Sequence, residues 1–238
     1  MANFLPIYLD LRQRSVLVVG GGHIATGKVR ELLSAGARVT VIAPDASADI
    51  QQAHATGALI WRKRDFVDAD IGENFMVISA TDHKALNAHV YKLANARQRI
   101  ANAVDDLENC NFIAPAVARR GPLQVAVSTS GTSPALAKQL RDHIQDVLLT
   151  EDAARLAEFL GAWRPAVKSV IPTYSRRQAF WEGVIESCVP ELLSTGQTAT
   201  AEMVMNEFLN RSHHGTRATA TCAAFADKPA HCRACLGV

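Results

Sequence analysis

Long apolar segments are missing from this sequence of 238 residues. No apolar run is long enough to cross a membrane, and the N-terminus lacks the basic segment followed by an apolar one that marks a secretory signal. We therefore expect a cytoplasmic protein with no membrane partner. A strong excess of charge is missing too: the formal net charge of +2 argues against nucleic acid as a partner but leaves room for a local basic site.

Cysteine is scarce and odd in number, with five residues. Without a secretory signal, this count argues against a disulfide framework and favours a reducing compartment. Residues 211–238 lose apolar periodicity, and we interpret them as a flexible tail. Metal binding in this tail is the less favoured alternative, because Cys232-x-x-Cys235 lacks a second well-spaced pair, and we expect no metal site. The soft ligands of the tail region are Cys222, Cys232, Cys235, His213, His214 and His231.

Strand and helix patterns alternate over the first hundred residues. Such alternation predicts a parallel sheet covered by helices on both faces, which makes this part an α/β domain. The strands are predicted at 15–20, 38–43, 58–61, 75–80 and 100–104, and the helices at 23–35, 47–56 and 82–97.

The pattern changes after about residue 110. Two extended segments, 111–118 and 123–129, flank a predicted turn at 119–122. Ser133 and Pro134 predict a helix start, with Ser133 as the N-cap, and the helix continues to Leu149. Further helical patterns indicate a helical bundle in the C-terminal part of the chain. They lie at 151–161, 175–187 and 198–210.

The first predicted strand ends in three glycines and leads directly into a helix. Gly20 permits a tight turn, and Gly22 allows the backbone to approach a phosphate. The free N–H groups and the dipole at the helix start favour an anion. We therefore predict that Gly20, Gly22, His23 and Ile24 bind the pyrophosphate of a dinucleotide, while a generic strand–helix turn is the alternative.

Other cofactor-binding candidates follow the neighbouring predicted strands. Asp45 either contacts the adenosine ribose or caps the next helix, and backbone groups near Ala43 offer another ribose contact. No arginine directly follows the second strand, which favours NAD over NADP. At the fourth strand we expect the backbone at Thr81 to line the cofactor, with Asp82 as a helix N-cap.

Several segments together resemble a known family. Over residues 1 to about 210, the chain is similar to the siroheme-synthase N-terminal module, which comprises precorrin-2 dehydrogenases and, in some members, sirohydrochlorin ferrochelatases. The motifs occur in the order and spacing of the family. They are Leu5-Pro6-Ile7, Val18-Val19-Gly20-Gly21-Gly22, Ala80-Thr81-Asp82, Asn102-Ala103-Val104-Asp105, Phe112-Ile113-Ala114-Pro115-Ala116, Val125 to Ala137, and Arg176 to Glu182.

The resemblance implies a fold, a reaction and a partner. The fold is a Rossmann-type parallel sheet (1–110), a small mixed dimerisation and substrate-site region (111–149) and a helical domain (150–210). The reaction is NAD-dependent oxidation of precorrin-2 to sirohydrochlorin, in bifunctional members followed by Fe²⁺ insertion. The chain is too short to include the methyltransferase module of fused members, and we expect a homodimer. A non-catalytic, NAD-sensing dimeric module is the alternative.

The resemblance also places the catalytic aspartate at Asp105, at the end of a predicted strand. A carboxylate there can take the proton that dehydrogenation releases and stabilise developing positive charge. Asp106 follows directly, and a simple turn aspartate is the alternative. Asn102 either holds the nicotinamide, orients Asp105 or is a buried, hydrogen-bonded asparagine.

A hydroxyl-rich segment and nearby cations are the candidates for binding the acidic tetrapyrrole substrate. Hydroxyls and helix-start N–H groups bind carboxylates, and a locally cationic site attracts them. Helix capping and solvated surface charges are the alternatives for these residues. The candidates are Ser128, Thr129, Ser130, Gly131, Thr132, Arg119 and Lys138, with Arg120 and Arg141 as further cations.

Overall fold

The structure, a computed structural model, describes residues 4–213. The described residues form two compact units. The first contains residues 4–115 and 129–133, and the second contains residues 116–128 and 134–213. The finer division with boundaries after 110, 149 and 210 stays a prediction.

The first unit is built on a five-stranded parallel sheet, as predicted from the strand–helix alternation. The strand order is β3-β2-β1-β4-β5, so the first strand lies at the centre and the chain reverses direction of winding beside it. The strands are β1 (Ser15–Val19), β2 (Arg38–Ile42), β3 (Ile60–Arg62), β4 (Met76–Ser79) and β5 (Ile100–Ala103).

Helices cover both faces of this sheet. Along β1 the side chains alternate between two cores: Val16 and Val18 pack with α1, while Leu17 and Val19 pack with α3. All four side chains are at most 2% exposed, which explains why the strand is apolar without alternation. The helices are α1 (His23–Ser34), α2 (Ala48–Ala55) and α3 (Lys84–Ala96), and short 3₁₀ turns occupy Asp68–Ile71 and Leu107–Asn109.

Two helix caps differ from the sequence interpretation. Ser47, not Asp45, is the N-cap of α2, and its hydroxyl accepts a hydrogen bond from the N–H of Ile50 at 3.4 Å. His83, not Asp82, is the N-cap of α3. The N–H of His83 instead donates to the hydroxyl of Thr81 at 3.2 Å, so a threonine two residues upstream supplies the acceptor.

The second unit begins with an antiparallel hairpin. Strands β6 (Ala116–Arg120) and β7 (Leu123–Val127) pair directly, with Arg120 opposite Leu123. The predicted four-residue turn is therefore wrong at its start, because Arg119 and Arg120 belong to the strand. Helix α4 (Pro134–His143) begins where Ser133 and Pro134 predicted it and continues as a π-helical segment, Ile144–Leu148.

Four further helices complete the second unit. The pattern predicted at 151–161 extends through Pro165 to Val170. The apolar face explains this, because Trp163 and Val167 continue it into the helical core. A short helix that the sequence did not predict lies at Val189–Ser194. The four helices are α5 (Glu151–Val170), α6 (Tyr174–Glu186), α7 (Val189–Ser194) and α8 (Thr198–His213).

The core of this helical unit is apolar and aromatic. Phe180 contacts both Trp181 and Phe208 edge-on, with ring centroids 5.0 and 6.2 Å apart. Cys188 is buried in the same core. None of the described helices has the length and apolarity needed to cross a membrane.

Candidate active site

The candidate site lies along the edge of the sheet where the parallel strands end. Val19 is paired with Ile42 on one side and with Ser79 on the other, and Ser79 is paired with Ala103. This register places the residues that follow four strands side by side at one edge. Ligands of open parallel sheets bind at this edge, next to the point where the strand order reverses.

Gly20 and Gly21 are required by close packing at the end of β1. Gly20 has φ +116°, and a Cβ there would lie 2.3 Å from the main-chain oxygen of Ala80. A Cβ on Gly21 would lie 2.2 Å from the main-chain oxygen of Asp45. Gly21 was not a candidate from the sequence, because the crowding comes from a loop that is distant along the chain.

Gly22 has a different environment. It is the exposed N-cap of α1, and a Cβ built on it would meet no atom of the described structure within 4 Å. The first intrahelical bond runs from Thr26 N–H to Gly22 O, so the N–H groups of His23 and Ile24 have no partner within the helix. An open backbone at a helix N-terminus fits the pyrophosphate of a dinucleotide.

Hydrogen bonds hold this turn against the loop after β2. The N–H of Ser47 donates to the main-chain oxygen of Gly21 at 2.9 Å, and the hydroxyls of Ser47 and Thr26 lie 2.7 Å apart. The hydroxyl of Thr26 also donates to Gly22 O at 2.9 Å. Both residues therefore fix the backbone on which the predicted phosphate site depends, and neither was a candidate from the sequence.

The predicted ribose contacts at the end of β2 divide into two kinds. Ala43 donates its N–H to Arg62 O at 3.3 Å and accepts from the indole N–H of Trp61 at 3.0 Å. Its N–H is therefore engaged within the fold and not available to a ribose. Asp45, in contrast, is exposed, and its carboxylate bonds to none of the described residues. Of the two candidates, Asp45 has the freer acceptor groups.

Thr81 is tied to the buried side chain of Asn87. The hydroxyl of Thr81 donates to Oδ1 of Asn87 at 2.7 Å, and Nδ2 of Asn87 donates to the main-chain oxygen of Thr81 at 2.8 Å. Asn87 is only 4% exposed. The structure thus brings Thr81 to the predicted edge, and Asn87 is a residue that the sequence analysis did not single out.

Asp105 and Asp106 differ sharply in their surroundings. Asp105 has φ +60°, is exposed, and forms no side-chain hydrogen bond within the described residues. The carboxylate of Asp106 is partly buried and accepts from Nδ2 of Asn109 at 2.8 Å. A left-handed backbone is uncommon outside glycine, although aspartate tolerates it better than most residues, and such strain clusters at functional sites.

Asn102 is bonded to the protein through its amide nitrogen. Nδ2 donates to Sγ of Cys110 at 3.1 Å and to the main-chain oxygen of Phe112 at 3.0 Å. Burial raises the pKa of the Cys110 thiol, so it remains protonated at neutral pH. This arrangement favours the interpretation of Asn102 as a residue that holds the loop around Asp105.

The hydroxyl-rich segment is partly organised by bonds within itself. The N–H of Ser133 donates to the hydroxyl of Thr129 at 3.0 Å, and the hydroxyl of Thr132 donates to Thr129 O at 2.6 Å. Ser130 and Gly131 both have positive φ, at +53° and +84°. Residues 129–133 belong to the first unit, the one that carries Asp105.

The remaining substrate candidates, Ser128, Arg119 and Lys138, belong to the second unit and are exposed. The main chain of Arg119 pairs with the side-chain amide of Gln145 at 2.8 and 3.0 Å. Arg120 forms an ion pair with Glu151. Arg120 is therefore partly neutralised, whereas the guanidinium of Arg119 and the ammonium of Lys138 bind no carboxylate among the described residues.

The part of the chain that the structure describes holds no group of three His, Cys, Asp or Glu side chains able to bind a metal ion. Apart from His213, at the end of α8, the tail candidates lie outside the described residues. They are Cys222, Cys232, Cys235, His214 and His231.

The edge described above has the form of a dinucleotide-binding site, and comparisons with known proteins agree. Residues 7–116 match the family described as putative NAD(P)-binding. Residues 120–146 match the sirohaem biosynthesis protein central region, and residues 153–209 match the sirohaem synthase dimerisation region. The dimerisation family thus covers the helical part, whereas the sequence analysis assigned the subunit contact to 111–149.

Individual relatives extend this agreement over most of the chain. "Siroheme synthase 1" of Serratia proteamaculans is 40% identical to this chain, over 91% of this chain and 45% of its own length. "Siroheme synthase 1" of Yersinia enterocolitica is 41% identical, over 84% of this chain and 42% of its own length. A solved structure described as SirC, precorrin-2 dehydrogenase, is 30% identical with a TM-score of 0.71, and covers 89% of this chain and 100% of its own.

The chain belongs to the family of siroheme synthases and precorrin-2 dehydrogenases. It spans a little under half the length of the siroheme synthases above.

Proposed function

We propose that this chain oxidises precorrin-2 to sirohydrochlorin, with NAD as the hydride acceptor, in siroheme biosynthesis. One observation carries the proposal: the carboxylate of Asp105, which is exposed and bonds to none of the described residues, follows β5 at the same sheet edge as the open glycine turn after β1. The solved structure of a precorrin-2 dehydrogenase with a TM-score of 0.71 supports the same reaction. We place the reaction in the cytoplasm, as the sequence suggests.

The residues at the start of α1 bind the cofactor in this proposal. The N–H groups of His23 and Ile24 hold the pyrophosphate, and Gly22 leaves the space for it. The carboxylate of Asp45 accepts from the ribose hydroxyls, and the backbone at Thr81 lines the edge. When bound, NAD supplies a two-electron acceptor. The absence of an arginine directly after β2 favours NAD over NADP.

Asp105 performs the proton transfer. Oxidation of precorrin-2 removes a hydride and a proton, and the Asp105 carboxylate takes the proton while it stabilises the positive charge that develops on the tetrapyrrole. Cys110 and Asn102 hold the backbone on which Asp105 stands. Asp106 is less suited to this role, because its carboxylate is already bonded to Asn109.

Substrate binding depends on hydroxyls and cations. The hydroxyl of Thr129 accepts from Ser133 N–H, so its own hydrogen can be donated to a substrate carboxylate. We assign Ser130 to substrate contact as well, at the left-handed turn Ser130-Gly131. Thr132 supports this segment, because its hydroxyl donates to Thr129 O at 2.6 Å. The sequence also offers Ser128, Arg119 and Lys138, which lie in the second unit, as candidates to bind substrate carboxylates.

Two finer properties belong to the proposal. Fe²⁺ insertion into sirohydrochlorin requires loss of pyrrole N–H protons, which the same Asp105 carboxylate is able to accept. A homodimer is supported by the match to the dimerisation region and by apolar side chains on α4, where Leu136 and Leu140 are 46% and 43% exposed. Sedimentation equilibrium tests the dimer: a fully active monomer at micromolar concentration would contradict it.

The decisive experiment compares Asp105→Asn with Asp106→Asn in an anaerobic assay with precorrin-2 and NAD⁺. The amide is nearly isosteric but accepts no proton, so Asp105→Asn should lower the rate by about 10²–10⁴-fold with NAD binding retained. Asp106→Asn should stay within a few fold of the wild type. Subsequent addition of Fe²⁺ shows whether chelation depends on the same group.

The opposite results have a clear meaning. Near wild-type rates in Asp105→Asn would reduce Asp105 to a turn residue. A wild-type chain that binds NAD⁺ but neither binds sirohydrochlorin nor oxidises precorrin-2 would indicate an NAD-sensing module instead of an enzyme.

A further inference from the structure

The buried side chain of Asn87 forms an unusually complete set of hydrogen bonds with one residue, Thr81. Oδ1 accepts from the hydroxyl of Thr81 at 2.7 Å and from its main-chain N–H at 3.3 Å, while Nδ2 donates to its main-chain oxygen at 2.8 Å. The main-chain oxygen of Asn87 also accepts from the buried hydroxyl of Ser79 at 3.4 Å. One side chain in α3 thus holds the segment that follows β4.

This segment lies between the two halves of the proposed active site. On one side, Ala80 O and the Thr81 methyl group would be 2.3 and 3.3 Å from a Cβ on Gly20, so the segment packs directly against the glycine turn. On the other side, Ser79 O accepts from Val104 N–H at 2.9 Å, one residue before Asp105. The segment thus packs directly on the glycine turn, whereas the loop of Asp105 is held mainly by its own bonds through Asn102 and Cys110.

Asn87 is not required simply to begin its helix. The N-cap of α3 is His83, and the N–H of His83 is satisfied by the hydroxyl of Thr81. A buried amide is costly to desolvate unless its donors and acceptors are bonded, and an apolar residue would avoid that cost. The amide has a geometric consequence that an apolar side chain lacks: it fixes the main chain of Thr81 in one orientation.

We propose that Asn87 is a positioning residue for the dinucleotide site. By fixing Ala80 and Thr81 against Gly20, it holds the turn in the open form that admits a pyrophosphate at Gly22. The inference rests on the proposed function in its cofactor-binding half. Asn87 is expected to affect the affinity for NAD⁺, whereas Asp105 is expected to affect the chemical step.

The test measures NAD⁺ affinity directly, by calorimetric titration of the full-length chain, together with the thermal midpoint without cofactor. Asn87→Ala should raise the Kd for NAD⁺ about tenfold and leave kcat at saturating NAD⁺ within about twofold. Asn95→Ala is the matched control: it changes an exposed asparagine of the same helix, whose Oδ1 accepts only from Asn111 at 3.3 Å. The control should bind NAD⁺ like the wild type.

A double-mutant cycle separates positioning from simple destabilisation. Thr81→Val removes the hydroxyl that Asn87 accepts from, so Thr81→Val and Asn87→Ala should affect Kd in a strongly non-additive way. Should Asn87→Ala fail to fold, Asn87→Asp keeps both acceptor contacts, loses the bond to Thr81 O and carries the same measurement. Asn87→Asp should weaken NAD⁺ binding by a few fold.

An unchanged Kd in folded Asn87→Ala or Asn87→Asp, with only a lower thermal midpoint, would overturn the inference and leave the proposed function standing. Additive effects of the two substitutions on Kd would also overturn it. A wild-type chain that does not bind NAD⁺ would overturn the proposed function and this inference with it.

Discussion

The amide nitrogen of Asn102 lies 3.1 Å from the sulfur of Cys110, and together they close the loop that carries Asp105. The same sulfur lies 3.2 Å from Ala103 O and 3.0 Å from Asp106 O, so it is within hydrogen-bonding distance of the main chain on both sides of Asp105. Because burial raises the pKa of the Cys110 thiol, the donor hydrogen is present at neutral pH. Asn102 and Cys110 thus hold Asp105 in its left-handed conformation without having to touch the substrate.

Replacement of Cys110 tests this arrangement. Cys110→Ala removes the donor and leaves Asn102 without one acceptor, so we expect an unfolding free energy lower by about 1 kcal/mol. The kcat for precorrin-2 oxidation should fall several fold, with an unchanged KM for NAD⁺. Cys110→Ser keeps a hydroxyl donor and should retain most of the activity. Equal kcat values in the wild type and the alanine variant would show that Asp105 is held without the thiol.

Alanine substitution of two neighbouring glycines should have opposite outcomes. Gly20→Ala places a Cβ 2.3 Å from Ala80 O at φ +116°, so the variant should not reach the native fold. Gly22→Ala meets no atom within 4 Å and should fold, with stability lower by less than about 1 kcal/mol because alanine is a poorer N-cap than glycine. Gly22→Asp should fold but lose NAD⁺ binding, since it puts an anion beside the pyrophosphate. Circular dichroism checks the folding of the variants, and titration with NAD⁺ checks their affinity. An unchanged NAD⁺ affinity in Gly22→Asp would contradict the assignment of the phosphate site to this turn.

The features predicted well from the sequence depend on residues that are close along the chain. The apolar run of β1, its glycine turn and the start of α4 at Pro134 are set by local patterns, and the structure confirms them. The position of Asp105 just beyond β5 followed from the strand pattern in the same way.

The features that were missed depend on residues distant along the chain or on burial. Gly21 is required because Asp45 crowds it, and no local pattern reveals this contact. Asn87 faces Thr81 only because α3 folds back against β4. The end of α5 was placed too early because Pro165 normally breaks a helix, whereas burial of Val167 favours its continuation.

The ion pair of Asp70 with Arg64 should make stability depend on pH. The Asp70 side chain is 4% exposed and lies 2.6 Å from the Arg64 guanidinium, which lowers the pKa of this carboxyl. Because the pKa of Asp70 is lower in the folded chain than in the unfolded chain, where it is about 3.9, the ion pair stabilises the fold at pH values above about 3.9. This contribution disappears as the pH falls through the pKa of the folded chain. Asp70→Asn should therefore lower the unfolding free energy by about 1–3 kcal/mol at pH 7 but hardly at acidic pH.

Denaturant titrations at a series of pH values measure this difference. Asp68→Asn is the control, because Asp68 is 63% exposed and, among the described residues, pairs only with His89 at 2.8 Å. Its replacement should cost less than about 1 kcal/mol at pH 7. A loss in Asp70→Asn that is the same at every pH would show that the charge of Asp70 does not stabilise the fold.

The left-handed backbone of Asp105 should cost stability that a glycine would recover. Asp105 has φ +60°, an orientation that glycine adopts without strain and other residues adopt at a cost of about 1–2 kcal/mol, less for aspartate. The free energy of unfolding of Asp105→Gly should therefore equal that of the wild type or exceed it by up to about 1 kcal/mol. Its oxidation of precorrin-2 should be lost. Asp105→Val, with a branched side chain at the same φ, should lose both stability and activity. Urea titrations and the anaerobic assay separate the two effects, and a clear destabilisation of Asp105→Gly would mean that the carboxylate itself holds the loop together.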